Sequence, residues 1–385
     1  MVDGSSYRSR TWKYIRANMA STYVEADIIE IAQRINDRAA SFAGARILLS
    51  GGAGFLGGYF VETFRYLNAH CLSEPCRVVV ADNLITASSE WLLTLDDPHV
   101  QFVQHDVIQR PAGPVFEEPF DYVIHAAGIA SPFYYRKFPL ETLEVTTTGT
   151  KNLLELCLRN RPRAFLFFSS SEIYGDPDPA HVPTPESYRG NVSCTGPRAC
   201  YDEAKRVGET LCTIFHQREG LPTKIVRPFN VYGPGMRRTD YRVVPNFVSK
   251  IIDGQPVSIY SEGLQTRTFC YIVDAIAGFL QVLLEGVPGE AYNVGTPTPE
   301  VSMRQLVEEL ERVVRHPVAS RCIEYPDSYP GDEPQRRCPD ISKATVQVGY
   351  HPKISLHEGL SRFMRWAEVA YAAPDGPKAH EVPVR

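Results

Sequence analysis

Short apolar runs alternate along the chain with longer segments in which apolar residues recur at every third or fourth position. The short runs predict buried β-strands, and the periodic segments predict amphipathic helices. The predicted strands are Arg46 to Ser50, Arg77 to Ala81, Val100 to His105, Tyr122 to His125, Ala164 to Ser169 and Lys224 to Val226, and the predicted helices are Phe55 to Asn68, Leu140 to Leu158 and Tyr201 to Gln217. This alternation indicates an α/β fold with a Rossmann-type, doubly wound parallel sheet.

The segments before and after this alternation differ in pattern. Apolar residues recur at near-helical spacing from Val24 to Ile35, which predicts an amphipathic helix that packs on the body of the protein or on a partner subunit. Beyond Pro228 the pattern loosens, with a predicted strand from Val257 to Tyr260 and a predicted helix from Met303 to Val314. The predicted units are an N-terminal helical extension (1–44), a Rossmann domain (45–228, with 266–296 returning to it), a smaller C-terminal substrate-binding lobe (229–265 and 297–372) and a tail (373–385).

Composition excludes several classes of protein. Of the 385 residues, 43% are hydrophobic, and the net charge of -5 with scattered Lys and Arg offers no basic surface for nucleic acid. No apolar run approaches the roughly 20 residues that a membrane helix requires. The nine cysteines are an odd number without metal-ligand spacing, so we interpret them as reduced thiols. These features predict a soluble cytoplasmic protein with no metal site and no nucleic-acid or membrane partner.

A glycine-rich turn follows the first predicted strand and opens the first predicted helix. It reads Gly51-Gly52-Ala53-Gly54-Phe55-Leu56-Gly57. Glycine at 51, 54 and 57 permits a tight turn, close approach of the backbone to a pyrophosphate and close helix packing, while the helix N-terminus attracts phosphate charge. The turn, with Phe55 and Leu56, is therefore a candidate dinucleotide-binding site.

Polar residues at the ends of the next two strands indicate which dinucleotide binds. Asp82, followed by Asn83, ends the second strand, where a carboxylate accepts hydrogen bonds from the adenosine ribose and repels a 2′-phosphate. NAD is therefore favoured over NADP. Asp106 and Val107 end the third strand and are candidates for the adenine edge, although an aspartate at this point is also common as a cap.

A tyrosine and a lysine four residues apart on a predicted helix carry the candidate redox chemistry. Tyr201 and Lys205 lie one turn apart on the same helix face, so the ammonium group can lower the pKa of the phenol. A phenolate can then take a hydroxyl proton near neutral pH. Ser170-Ser171-Glu172 follows the fifth predicted strand and adds an acidic group for a step other than hydride transfer.

These motifs resemble those of the extended short-chain dehydrogenase/reductase family. The glycine turn, His125-Ala126-Ala127, the Tyr201 and Lys205 pair and the order of elements carry this resemblance over residues 45 to about 370. Within that family the chain resembles the UDP-glucuronic acid decarboxylases, also called UDP-xylose synthases. The stretches that carry the closer resemblance are Ser169 to Pro177, Gly196 to Arg206, Gln265-Thr266-Arg267 and Arg337-Cys338-Pro339-Asp340-Ile341.

The pair Ser171-Glu172 separates this group from related enzymes. Sugar-nucleotide 4,6-dehydratases typically have Asp-Glu in its place, and 4-epimerases usually have small or apolar residues at both positions. A substrate whose C6 is already a carboxylate needs no acid to expel a 6-hydroxyl, and its oxidation at C4 makes a β-keto acid that loses carbon dioxide. The resemblance therefore implies NAD-dependent decarboxylation of UDP-glucuronate to UDP-xylose, or release of UDP-4-keto-pentose.

The resemblance also implies roles for individual residues. Tyr201 removes the C4 hydroxyl proton, Lys205 sustains the phenolate and holds the cofactor ribose, and Ser170 hydrogen-bonds the reacting oxygen. Glu172, with Ser171, acts on the region of the sugar carboxylate and on proton transfer at C5. The other implied residues are Ala126 for the cofactor, Arg267 for the substrate carboxylate, Ser131, Asn152, Asn230 and Arg242 for the sugar and diphosphate, and Tyr260 and Arg337 for the uridine end. A homodimer is a further family expectation, formed through the two long helices after residue 140.

Two departures from the family pattern leave alternatives open. The family usually has Lys in the place of Glu144 and Asn in the place of Thr146, beside the sugar site. An epimerase or dehydratase acting on another nucleotide sugar is therefore an alternative, although Ser171-Glu172 disfavours it. A non-catalytic protein that binds NAD or a nucleotide sugar is a third hypothesis, which the presence of Tyr201 and Lys205 disfavours.

Overall fold

A computed structural model describes residues 25–87, 90–93, 95–325 and 333–372. Val24, the first residue of the predicted N-terminal helix, and the predicted tail 373–385 lie outside the described residues. The strands are β1 (Arg46–Ser50), β2 (Arg77–Asp82), β3 (Val100–Gln104), β4 (Tyr122–His125), β5 (Ala164–Phe168), β6 (Thr223–Pro228), β7 (Val231–Tyr232), β8 (Val257–Tyr260), β9 (Thr266–Arg267), β10 (Cys270–Tyr271), β11 (Ala291–Val294), β12 (Val301–Ser302), β13 (Ser320–Ile323) and β14 (Arg336–Arg337).

The helices flank these strands. They are α1 (25–35), α2 (Phe55–His70), α3 (Glu90–Leu93), α4 (Pro132–Lys137), α5 (Pro139–Thr146), α6 (Thr148–Asn160), α7 (Ala199–Glu219), α8 (Val243–Ile252), α9 (Ile272–Glu285), α10 (Met303–Val314), α11 (Ser342–Val348) and α12 (Leu356–Ala370). Short 3-10 turns lie at Asn36–Phe42, Pro114–Phe116, Ser171–Tyr174 and Pro179–His181.

Seven of the strands in the described residues form one parallel sheet in the order β3-β2-β1-β4-β5-β6-β11. The chain runs outward from β1 to β3, then returns across β1 to β4, so the direction of winding reverses between these two strands. Loops diverge at such a reversal and leave a crevice at the carboxyl ends of the strands. The predicted fold class, a Rossmann-type doubly wound sheet, is confirmed.

Alternate residues of the central strands enter different cores. On β1, Ile47 and Leu49 belong to one buried cluster, and Leu48 belongs to the cluster on the opposite face. All five residues of β1 are buried, as expected for a parallel strand covered by helices on both faces. This double burial explains why the strand reads as a continuous apolar run in the sequence.

The helix predicted from Leu140 to Leu158 is two helices, α5 and α6, which meet at Thr147. The ψ angle of Thr147 is -70°, and its hydroxyl donates a hydrogen bond to the Leu143 carbonyl at 2.9 Å. Three consecutive threonines, 146 to 148, span the junction. β-Branched hydroxyl side chains that bond to the preceding turn weaken and bend a helix, so an apolar period that looks continuous is interrupted here.

The smaller elements after residue 228 form three short sheets beside the central one. β7 pairs with β10, β8 pairs with β13, and β9 lies between β12 and β14. Helix α10 begins with a capping box in which Ser302 and Gln305 each bond the other's backbone amide, which stabilises a helix start. The domain limits proposed from the sequence stay a prediction.

The described part of the chain contains no helix that is both long and apolar enough to cross a membrane. All nine cysteines fall within it, and each is free. No cluster of three or more His, Cys, Asp or Glu suited to a metal ion occurs among the described residues.

The N-terminal helix α1 packs on the body of the same chain. Ile28, Ile31 and Ile35 are buried in the main core. Asp27 on the same helix is 1% exposed and accepts hydrogen bonds from the hydroxyls of Tyr271 at 2.7 Å and Tyr59 at 3.3 Å. Burial raises the pKa of Asp27 to about 6 against these hydrogen bonds, which act in the opposite direction.

The raised pKa of Asp27 predicts a pH-dependent stability. A carboxyl group with a raised pKa in the folded state stabilises the fold below its unfolded pKa near 3.8, and this contribution is lost as the pH rises through about 6. Relative to Asp27→Asn, the wild type should lose about 2 kcal/mol of unfolding free energy between pH 4 and pH 7. Urea unfolding across this range measures the difference. Asp37→Asn, a substitution at an exposed residue, is the control. A difference in unfolding free energy between the wild type and Asp27→Asn that does not vary with pH would contradict the raised pKa of Asp27.

Candidate active site

The glycine turn lies at the point where the sheet reverses direction. Gly51 has φ of +76°, and a Cβ atom there would lie 2.5 Å from the backbone of Ala127, which follows β4. A Cβ atom on Gly57 would lie 2.4 Å from the Gly51 carbonyl oxygen. Only glycine fits such contacts, so helix α2 begins directly against the end of β1, with its N-terminus directed at the crevice.

A cavity of about 1090 Å³ opens over this turn. Twelve of the residues predicted to bind cofactor or substrate line it: Gly51, Gly54, Phe55, Leu56, Gly57, Asp82, Asn83, Asp106, Val107, Ala126, Ser131 and Arg242. The other predicted site residues do not line it: Asn152, Ser170, Ser171, Glu172, Tyr201, Lys205, Asn230, Tyr260, Arg267 and Arg337. The cavity is therefore the candidate dinucleotide groove, and the candidate catalytic residues do not line it.

One end of the cavity has the geometry of an adenosine site. Asp82 accepts hydrogen bonds from the amides of Ala53 at 3.1 Å and Leu84 at 2.8 Å, so it holds the glycine turn to the end of β2. Asn83 donates to Asp106 at 2.9 Å. Burial raises the pKa of Asp82, and the two backbone amides oppose this rise. These groups fit the ribose and base of NAD by the donors and acceptors they present.

Asn152 has a contact that the sequence did not indicate. It is buried on α6, and its amide nitrogen donates to the carbonyls of Val107 at 3.0 Å and Ile108 at 2.9 Å. The structure thus places it beneath the loop after β3, where it holds the backbone that follows the adenosine side of the cavity. Its predicted contact with substrate stays a prediction.

Tyr201 and Lys205 lie on α7 and are both buried. The ammonium group of Lys205 donates to the Phe168 carbonyl at 2.7 Å and lies 5.7 Å from the centre of the Tyr201 ring. That ring stacks on Tyr135 with ring centres 5.4 Å apart. The close approach of the lysine to the tyrosine is the arrangement expected of a proton-transfer pair.

The pKa values of this pair differ from the expectation. Burial lowers the pKa of Lys205 to about 8. Burial raises the pKa of Tyr201, and a hydrogen bond with Ser170 opposes that rise. The pKa of the phenol is therefore above its ordinary value in the protein alone, contrary to the expected lowering, because removing the phenolate from water outweighs the Ser170 hydrogen bond and the charges of Arg242 and Arg198.

Glu172 is the centre of a buried group of charges. It accepts two hydrogen bonds from Arg337, at 2.5 and 2.6 Å, and a further one from Arg198. Arg198 also contacts Glu333 at 2.9 Å and Asp202 at 3.4 Å, and Glu333 in turn pairs with Arg267. Three carboxylates and three guanidinium groups thus neutralise one another in a space largely closed to water. Removal of any one of them leaves a partner as an unpaired charge, which destabilises the fold.

The position of Arg337 corrects an expectation. The resemblance placed it at the uridine end of the substrate, and the structure places its guanidinium group against Glu172. Arg337 is 5% exposed, and a buried guanidinium group requires a carboxylate close by. Burial and the positive charge of Arg198 lower the pKa of Arg337. Arg337 and Arg267 therefore lie in one cluster with Glu172, next to the helix that carries Tyr201.

Three members of this charge cluster escaped the sequence analysis. Arg198 and Asp202 flank Tyr201 at a spacing of four residues, which is a helical ion-pair signal that could have revealed them. Glu333 lies far away in sequence and had no local signal. Its pKa is raised by burial but lowered further by Arg267 and the other two arginines, so it is held as a carboxylate.

The remaining predicted residues take up varied positions. Arg242 forms an ion pair with Asp240 and lies 6.0 Å from the centre of the Phe55 ring, at the cavity wall. Asn230 donates to the Thr268 carbonyl at 2.8 Å, and Tyr260 stacks on Tyr325 with ring centres 5.2 Å apart. Their predicted contacts with the substrate stay predictions.

Neither Glu144 nor Thr146 lines the cavity. Glu144 is exposed on α5, and Thr146 is buried in the same helix. Because this cavity is the candidate cofactor groove, the effect of Glu144 and Thr146 on substrate choice stays a prediction. Glu141, one turn earlier, lines the cavity instead.

Two neighbouring arginines provide a test of the charge cluster. Arg337→Met should lower the unfolding free energy by about 3 kcal/mol, because it leaves three buried carboxylates with two guanidinium partners. Arg336→Met, at the adjacent position, removes a partly exposed pair with Glu300 and should cost about 1 kcal/mol or less. Urea unfolding at pH 7 compares the two. Equal losses would show that the cluster does not stabilise the fold in this way.

Comparison with known proteins bears on this geometry. Residues 47–295 match the model of the NAD dependent epimerase/dehydratase family. UDP-glucuronic acid decarboxylase 3 of Arabidopsis thaliana is 40% identical over 316 residues, covering 82% of this chain and 86% of its own. UDP-glucuronic acid decarboxylase 1 of Danio rerio is 36% identical over 327 residues, covering 83% and 72%.

Solved structures give the same result for the fold. An epimerase from Methanothermobacter thermautotrophicus has a TM-score of 0.76 at 26% identity, covering 89% of this chain and 97% of its own. UDP-glucuronic acid 4-epimerase from Bacillus cereus, in complex with UDP-glucuronic acid and NAD, has a TM-score of 0.71 at 25% identity, covering 85% and 99%. The resemblance first stated from the motifs is confirmed, and NAD is the cofactor. The chain belongs to the NAD-dependent epimerase/dehydratase family, in which the relatives named here include UDP-glucuronic acid decarboxylases.

Proposed function

We propose that this enzyme catalyses the NAD-dependent decarboxylation of UDP-glucuronate. The observation that carries the proposal is the placement of Glu172 between Arg337 and Arg198, in the cluster that joins helix α7 and the Tyr201 base through Asp202. A site in which two guanidinium groups lie beside one carboxylate is suited to a substrate that itself carries a carboxylate. The decarboxylases among the relatives support the same reaction.

Tyr201 starts the proposed reaction. Its phenolic oxygen takes the proton of the C4 hydroxyl while C4 gives up a hydride, and Ser170 hydrogen-bonds the reacting oxygen. Lys205, whose pKa burial lowers to about 8, provides positive charge beside the phenol. Bound NAD supplies the acceptor of that hydride and can return it later. The glycine turn, Asp82 and Asp106 would hold the cofactor in the groove.

The second proposed step breaks the bond between C5 and C6. With a ketone at C4 the substrate is a β-keto acid, so the electron pair of the breaking bond moves into the ketone as carbon dioxide leaves. The resulting enol needs a proton at C5. We assign the delivery of this proton, taken from solvent, to Glu172 with Ser171, at the point where Arg337 and Arg198 hold the carboxylate. Return of the hydride to C4 then gives UDP-xylose, and early release gives UDP-4-keto-pentose.

Arg267 and Arg198 are the groups proposed to receive the substrate carboxylate. Both pair with Glu333 in the structure. A planar guanidinium group binds a carboxylate through two parallel hydrogen bonds. The substrate would therefore compete with Glu333 for these two arginines, and a carboxylate at C6 would be distinguished from a hydroxymethyl group by charge.

We propose a homodimer formed by α5 and α7. The two helices pack on each other, and both expose apolar side chains: Leu140, Leu143, Val207 and Ile214. Exposed aliphatic residues on adjacent helices are unusual unless another surface covers them. We also propose a cytoplasmic location, which the nine free thiols support because reducing compartments keep cysteines unpaired.

The first test of function is an assay of the purified protein with UDP-glucuronate and NAD. Carbon dioxide and a UDP-pentose, followed by mass spectrometry, are the expected products. Tyr201→Phe should lower turnover by at least about 100-fold because the phenolate is lost, while NADH binding and thermal unfolding stay unchanged. Conversion to UDP-galacturonate without carbon dioxide would replace the proposal with C4 epimerisation.

The dimer has a separate test. Leu140→Glu with Val207→Glu should convert the protein from dimer to monomer in analytical ultracentrifugation, because two charges would be buried in the shared surface. Leu264→Glu is the matched control, since Leu264 is 63% exposed and Leu140 is 69% exposed. A dimer that persists in the double variant would place the interface elsewhere.

A further inference from the structure

One segment of the chain lines the candidate dinucleotide groove with six of its nine residues. Residues 234–242 contribute Pro234, Gly235, Arg237, Thr239, Asp240 and Arg242 to the cavity wall. The adjacent Tyr241 contacts Phe133 with ring centres 4.6 Å apart, next to the end of the groove that holds Ser131. At the adenosine end, the segment contacts the cavity wall through Arg237.

Two observations place Arg237 at the adenosine end of the groove. Its guanidinium group donates to the carbonyl of Thr86 at 3.0 Å, four residues after Asp82. Asp82, Asn83, Thr86 and Arg237 all line the same cavity. Burial raises the pKa of Asp82, and the positive charge of Arg237 is among the groups that lower it. A carboxylate and a guanidinium group therefore face the same part of the groove.

These two groups favour different cofactors. A carboxylate at the end of β2 accepts hydrogen bonds from the adenosine ribose and repels a phosphate on its 2′ oxygen, whereas an arginine nearby accommodates that phosphate. A guanidinium group binds phosphate oxygens through a planar pair of hydrogen bonds. Most sites that select NAD need only the carboxylate, but this site has both groups.

We propose that Arg237 is a specificity residue for the cofactor: its guanidinium group attracts an adenosine 2′-phosphate, and the carboxylate of Asp82 outweighs that attraction. NAD selection in this enzyme then rests on the negative charge of Asp82. Removing that charge converts the adenosine end from an NAD site into one that accepts NADP. The proposal concerns the cofactor end only, and it holds whichever nucleotide sugar reacts.

The decisive experiment measures the binding of NADH and NADPH to the full chain by isothermal titration calorimetry. Asp82→Asn should improve the affinity for NADPH relative to NADH by about tenfold or more. Adding Arg237→Gln should abolish that gain. Adding Arg238→Gln should leave it intact, because Arg238 pairs with Asp253 and does not line the cavity. A gain that survives Arg237→Gln would overturn the proposal.

A second measurement leaves Asp82 in place, since its hydrogen bonds to Ala53 and Leu84 hold the turn and its replacement could unfold the site. The probes are adenosine 2′,5′-bisphosphate and adenosine 5′-diphosphate. Arg237→Gln should weaken binding of the 2′-phosphorylated probe by about tenfold and leave the other unchanged. Equal effects on the two probes would show that Arg237 only supports the loop and would overturn the proposal.

The outcome is distinguishable from a failure of the proposed reaction. Binding of adenosine probes requires no sugar substrate, so the specificity of Arg237 is measured even if the protein releases no carbon dioxide. Conversely, carbon dioxide release with NAD does not depend on whether Arg237 contacts a 2′-phosphate. The control Arg238→Gln removes a positive charge from the same segment, whereas Arg237→Gln removes the guanidinium group proposed to lie at the ribose.

Discussion

The contact of Gly51 with the backbone of Ala127 is the constraint on which the arrangement of the site depends. It brings the ends of β1 and β4 together at the reversal of the sheet, with no room for a Cβ atom. The start of α2 is fixed by the equally close contact of Gly57 with Gly51. Because both contacts are between backbones, the position of the groove is set before any side chain contributes, and Asp82 and Ser131 are carried to its two ends.

The groove and the catalytic cluster are held by different kinds of interaction. Glycine packing and backbone hydrogen bonds form the groove, whereas Glu172, Arg198, Arg337 and their partners form a balanced group of buried charges. Such a group gains little net stability against an apolar core, yet each member becomes costly to remove. Its presence is therefore better explained by a charged substrate than by the needs of the fold.

Segment 234–242 connects the two regions. It carries Arg237 at the adenosine end and Arg242 near Phe55 at the glycine turn, and its Tyr241 reaches Phe133 on the far side. Because the segment follows β7, it comes from the part of the chain beyond the first six strands of the central sheet. The residues proposed for cofactor selection and for substrate binding thus lie on one stretch of backbone.

The sequence alone determined the elements whose signals are local. The limits of β1, β4, β8 and α10 agree with the structure to the residue, because their apolar periods are uninterrupted. The glycine turn, Asp82 and the pair of Tyr201 and Lys205 were likewise recognisable, since each is a short motif with a fixed offset. The break at Thr147 was missed because the threonine hydroxyl bends the helix by bonding to the preceding turn. The spacing of apolar residues does not reveal such a bond.

Only the tertiary structure decided which distant charges meet. Glu172 and Arg337 are 165 residues apart, and Arg198 and Glu333 are 135 apart, so no spacing in the sequence could pair them. The raised pKa of Tyr201 also had to come from the structure, because the phenol is buried only when the whole chain surrounds it. Local order follows from nearest neighbours along the chain, whereas burial and charge pairing depend on every segment that packs around a group.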